Sequence, residues 1–347
     1  MKTTINRIVY LKTFLALGLA MAFLPVFAFG QSAQVRLATL APRGTSLHKT
    51  LLAMGQEWRH APCGGVNLTI YPDGTLGSEA DMVNRMRIGQ IQAAMLSIAG
   101  LSKIDDSVKA LQNMPFMFRS LDEVAYVTAK LKPDLDQRFL AKGFVVLFWG
   151  DVGWVRFFSK QLVEKPEDLK KLKLFTWAGD PQQADLMKRL GFHPVQLEAN
   201  DILMGLQTGL IDAVPTAPLI ALAGQFYGPA PYMLQINYAP LVGGTVITKK
   251  TWDSICPDAR KALLAAAAEA GKEVTRRNHE ESDEAVEAME KRGLKVHTLS
   301  PSDTAAWNKL AEQVKPDVRG RLVPAEMFDK VQKLLAEYRA AHEGGGK

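Results

Sequence analysis

The side chains best placed for chemistry in this 347-residue chain are aromatic rather than ionisable. Trp149, Trp154 and Trp177 fall in or near β-rich stretches, and each offers a broad apolar face with one N–H donor. Three such residues near strand ends make either a core seam or the wall of a ligand site. Acid–base and nucleophilic chemistry find no comparable grouping. The chain has no Gly-x-Ser-x-Gly elbow, no His-Glu-x-x-His and no Cys-x-x-Cys; the terminal Gly344-Gly-Gly-Lys347 lacks the strand and helix that a phosphate loop needs. The six histidines are scattered, and His279-Glu280-Glu281 lies in a charged helical run, where it reads as surface and not as a metal site. Cys63 has no neighbouring cation or helix N-terminus to activate it. An enzyme is not expected, and neither is a metal or other cofactor.

Lys2, Arg7 and Lys12 precede an apolar run from Thr13 to Phe29, with small residues at Ala28, Gly30 and Ala33. This is the pattern of a secretory signal peptide cut after Gly30 or Ala33, and it implies a periplasmic protein. Pro25 interrupts the run, which is short for a membrane span. The formal charge is +6, of which the leader carries three cations and no acid, leaving +3. So slight an excess gives no support to nucleic-acid binding. In an oxidising compartment Cys63 and Cys256 could join, closing a long loop worth roughly 3–5 kcal/mol. The favoured reading is nevertheless two buried thiols, since a domain of this size does not need the staple.

The remaining ~315 residues exceed one ordinary core and suggest two lobes. Strands at Val35–Thr39, Val66–Tyr71 and Ile91–Leu96 alternate with helices at Leu47–Arg59 and from Ser78 to Ile88. A helix at Leu121–Lys142 leads to the strand Phe144–Trp149 and a crossing at Gly150–Gly153. The same alternation resumes with Val155–Ser159, a short helix from Pro166, Leu172–Thr176, a helix at Asp180–Leu190 and Gly209–Val214. Such alternation predicts an α/β fold with mixed, mostly parallel sheets. The stretch Pro257–Gly293 reads as one helix of roughly 50 Å, long enough to run along both lobes. Helices at Asp303–Gln313 and Ala325–His342 close the chain. The resulting division is a leader at 1–30, lobe I at 31–151 and 241–280, lobe II at 152–240 and 281–343, and a frayed tail at 344–347.

Five motifs then fall into place. They are Tyr71-Pro-Asp-Gly-Thr-Leu-Gly-Ser-Glu79, Met114-Pro-Phe-Met-Phe-Arg-Ser-Leu-Asp-Glu123, Lys165-Pro-Glu-Asp-Leu-Lys-Lys-Leu-Lys173, Leu206-Gln-Thr-Gly-Leu-Ile-Asp-Ala213 and Lys249-Lys-Thr-Trp-Asp-Ser-Ile255. Their content and order resemble the DctP-type solute-binding proteins of tripartite ATP-independent periplasmic (TRAP) transporters across nearly the whole mature chain. The resemblance implies a two-lobe, periplasmic-binding-protein-like fold hinged by strands and a long helix. It also implies closure on a small molecule and delivery to membrane permease subunits.

Departures from the family pattern bear on the ligand. Most relatives bind organic acids, and an arginine on the strand after the Pro-Glu-Asp-Leu-Lys helix forks onto the carboxylate. That position here is Phe175, and a second cleft arginine falls on Val155, next to Arg156. A one-residue offset turns Arg156 to the opposite face unless a bulge restores it. The asparagine after the Gly-x-x-Asp strand becomes Thr216, and polar positions after the Ile91 strand become Ser97 and Gly100. The expected binding residues are Thr39, Ser97, Trp149, Trp154, Arg156, Phe175, Trp177 and Thr216. A neutral or largely apolar ligand follows from them, with a carboxylate clamped by Arg156, or a sensing rather than transport role, as the alternatives.

Overall fold

A computed structural model describes residues 33–343; the leader and the tail lie outside the described residues. Ala33–Thr39 (β1) and Val66–Tyr71 (β2) lie side by side and parallel, with Ala93–Ser97 (β3) parallel on the other edge of β1. Phe144–Ser159 (β4) is one continuous strand through the glycines at which the sequence places a crossing. Lys173–Trp177 (β5), His193–Leu197 (β6) and Ala213–Thr216 (β7) are short, and Tyr232–Thr248 (β8) is long. Lys295–Thr298 (β9) pairs with the start of β8. The order is β2-β1-β3-β8-β4-β7-β5-β6, with the β8 pairings to β3 and β4 and the β4 pairing to β7 antiparallel and the other five parallel.

β4 and β8 run through both lobes as one antiparallel ribbon, and its register slips three times: between Val146 and Phe148, between Asp151 and Trp154, and between Val155 and Phe157. The middle slip coincides with Gly153 at φ +86°, a conformation in which other residues are strained. The 34-residue helix Pro257–Glu290 crosses this ribbon closely enough that a Cβ on Gly271 would lie 2.8 Å from that of Phe148. Asn278 Nδ2 donates to the Asp151 carbonyl at 3.1 Å, and the Asp151 carboxylate takes the Gly153 N–H at 3.0 Å and His279 Nε2 at 2.6 Å. The hinge strand is thus pinned to the helix that joins the lobes.

Two expectations are corrected. Cys63 and Cys256 form a disulfide, tying the loop after the Ser46–Arg59 helix to the N-cap of the long helix. The final helix, Ala325–Glu343, belongs to lobe I and not lobe II. Phe328, Val331 and Leu335 share a core with Val124, Val127 and Leu131 of the Leu121–Ala141 helix, and Arg339 clamps Glu123 at 2.7 and 2.9 Å. Its partner, Pro301–Val318, bridges the lobes, placing Trp307 in the lobe II core and Val314 in that of lobe I.

Candidate functional site

A cavity of about 590 Å³ lies between the lobes, at the carboxyl ends of the parallel strands, where open α/β sheets bind ligands. Thr39 and Ser97 reach it from the ends of β1 and β3, and Phe175, Trp177 and Thr216 from the ends of β5 and β7. These five expected residues are brought together. The lobes also touch around the cavity: Lys109 Nζ donates to Gln182 Oε1 at 2.6 Å, Lys103 Nζ to the Gly179 carbonyl, and the Phe116 N–H to the Tyr238 carbonyl at 2.8 Å.

The other three expected residues lie outside the lining. Trp149 sends its indole N–H to Asp136 Oδ1 at 3.1 Å and packs edge-on against Phe139, with ring centroids 5.8 Å apart. Trp154, like Trp149, packs on the lobe I core. Val155 and Phe157 line the cavity, and Arg156 between them does not. On its β7 side β4 keeps regular antiparallel pairing, Arg156 opposite Thr216 and Phe157 opposite Pro215, so Arg156 and Thr216 share one face of the sheet. Arg156 is buried, with Nε and Nη1 unpaired, and burial holds its guanidinium below the usual arginine range despite the field of Asp283.

Among the described residues, the lining contains no lysine, arginine or histidine; its charged side chains are Asp73, Glu79 and Asp180. Phe175 sits where the resemblance places a carboxylate-binding arginine, packed edge-on to Trp177 at 5.2 Å, and Val155 sits at the second such position. Sequence reading missed Glu79, taken only as part of a helix start. Its Oε1 accepts the Ser97 N–H at 2.6 Å, and its Oε2 accepts the Ser97 hydroxyl at 2.6 Å and the Gly100 N–H at 2.9 Å. Burial pushes this carboxyl up, the hydrogen bonds from Ser97 and Gly100 oppose the rise, and Glu198 across the cleft adds to it. A Cβ at position 100 would come within 2.8 Å of that of Glu79, which accounts for Gly100. The Ser97 hydroxyl is therefore committed to Glu79, and Thr39 Oγ1 accepts the Ala41 N–H at 3.0 Å.

Residues 37–319 match the model of the bacterial extracellular solute-binding proteins, family 7, or DctP. The chain belongs to this family. It is 28% identical over 242 residues to the 2,3-diketo-L-gulonate-binding periplasmic protein YiaO of Escherichia coli, covering 68% of this chain and 72% of that one. It is 23% identical over 276 residues to the C4-dicarboxylate-binding periplasmic protein DctP of Rhodobacter capsulatus, covering 79% and 82%. Among solved structures, a TRAP periplasmic solute-binding protein of Shewanella oneidensis with bound succinate superimposes with a TM-score of 0.81 at 18% identity, covering 88% of this chain and all of that one. Another from Xanthobacter autotrophicus, with bound β-D-galacturonate, gives 0.78 at 22% identity, covering 87% and 99%. The two-lobe fold agrees with the motifs, and this DctP family member is a bacterial extracellular solute-binding protein. No helix among the described residues is long and apolar enough to cross a membrane.

Proposed function

We propose that this DctP family receptor, exported to the periplasm by its leader, closes its lobes on a neutral, largely apolar small molecule and passes it to TRAP permease subunits. One observation carries the ligand class: among the described residues the cavity lining has carboxylates but no lysine, arginine or histidine, with Val155 and Phe175 at the two positions where the resemblance expects arginines. A carboxylate buried there without a cationic partner is penalised by several kcal/mol. Phe175, Trp177, Val155 and Phe157 supply apolar wall, and Thr216 a hydroxyl.

The alternative is a carboxylate ligand. It is favoured by the succinate and galacturonate held by the structural neighbours, and by the unpaired Arg156 guanidinium one residue from the lining. Titration calorimetry with succinate and galacturonate separates the two. The wild type is expected to bind neither more tightly than ~1 mM, and Phe175→Arg to gain at least tenfold for one of them, equivalent to ~1.4 kcal/mol. Micromolar binding of either acid by the wild type, abolished by Arg156→Ala, would favour the carboxylate reading.

A further inference from the structure

The cavity continues beyond the cleft, beneath the Pro301–Val318 helix. Trp307, Leu310, Ala311, Val314 and Val318 line this arm, and at helical spacing they form one apolar stripe. From Trp307 to Val318 the stripe runs for about 16 Å at ~1.5 Å per residue. Phe116, Phe157 and Tyr238 face it and box in Trp307: Phe157 stacks on Trp307 with centroids 5.8 Å apart, Tyr238 meets Phe157 at 5.0 Å, and Phe116 meets Tyr238 at 5.4 Å. The arm offers little polarity. The Trp307 indole N–H is taken by the Glu164 carbonyl at 2.9 Å, and burial pushes the Tyr238 phenol up to about 12, which keeps it neutral.

The length of the arm selects an occupant. The hydrocarbon core of a bilayer is ~30 Å thick, so one acyl chain reaches about 15 Å, close to the length of the stripe. We infer that the natural ligand carries a single long hydrocarbon chain that lies under the Pro301–Val318 helix, with an uncharged polar end in the cleft near Asn200 and Thr216. This rests on the reading that the ligand is neutral, since the charged side chains of the lining are acids that repel an anionic head.

The test is calorimetric titration with monobutyrin, monocaprylin and monolaurin, each below its micelle concentration, alongside succinate. Affinity should rise with chain length by up to about fourfold per methylene, the equivalent of ~0.8 kcal/mol for each CH₂ buried. Ala311→Trp, which fills the arm, should end that rise at a short chain. Ala311→Met should end it at an intermediate one and serves if the tryptophan variant does not fold. Binding of monobutyrin with no gain on lengthening the chain overturns the acyl arm and leaves the neutral-ligand reading standing. Succinate bound in preference to every glyceride overturns both.

Discussion

Glu79 shows how a single side chain can set the character of this cleft. Its carboxylate, in the cavity lining, occupies two N–H groups and a hydroxyl, those of Ser97 and Gly100. The receptor thus carries an acid of its own where an anionic solute would seek donors. Removing it in Glu79→Ala leaves those groups unpaired, and a loss of about 1–3 kcal/mol in urea denaturation is expected, as for buried donors without acceptors. Acetate should then raise the melting temperature of the variant and not of the wild type. The absence of any such rescue would mean that the donors do not face the cavity. Some of this was readable in sequence: the resemblance to the DctP family implied that Val155 and Phe175 stand at cleft positions, and both residues line the cavity. The packing of Trp149 and Trp154 on the lobe I core was not readable, because tertiary contacts of this kind leave no mark on composition.

At the level of elements, two ties hold the frame. The disulfide joins residues 193 apart in the chain, both within lobe I. Its removal in the Cys63→Ser, Cys256→Ser double variant is expected to lower stability by about 2–5 kcal/mol, read from the urea midpoint. Affinity should be unchanged, because neither residue lines the cavity. The second tie is His279 to Asp151, at the hinge strand. The hydrogen bond that His279 donates to the Asp151 carboxylate raises the His279 pKa above its ordinary 6.5, partial burial opposes the rise and Asp122 adds to it. A raised histidine pKa stabilises the fold fully below pH ~6.5, and that contribution is lost as pH climbs through the folded-state value. The melting temperature of the wild type should therefore exceed that of His279→Gln most at pH ~5.5–6.5, with the gap shrinking toward pH ~8. A gap independent of pH would show that the pair is not ionic. Helices and the short parallel strands were legible because caps and periodicity are local. The 17-residue β8 was not, since Pro240, Gly243 and Gly244 interrupt its pattern, and only pairing with β3 and β4 makes it a strand. The lobe to which the last helix docks is likewise a matter of tertiary contact, decided by the core it shares with the Leu121–Ala141 helix.

The described residues form two lobes on a continuous β4–β8 ribbon, braced by a helix that spans both, around a cavity whose lining among these residues holds three acids and no lysine, arginine or histidine. Lys103 and Lys109 bridge the cleft to Gly179 and Gln182 of the facing lobe, and the register of the ribbon slips at Gly153. Family membership accounts for this architecture, while the lining sets the chemistry of the solute. Native mass spectrometry of the receptor as purified, followed by extraction and identification of the molecule it carries, tests the central claim most directly. The expected result is one neutral, chain-bearing molecule per receptor; a small carboxylate held in its place, and lost on Arg156→Ala, would contradict it.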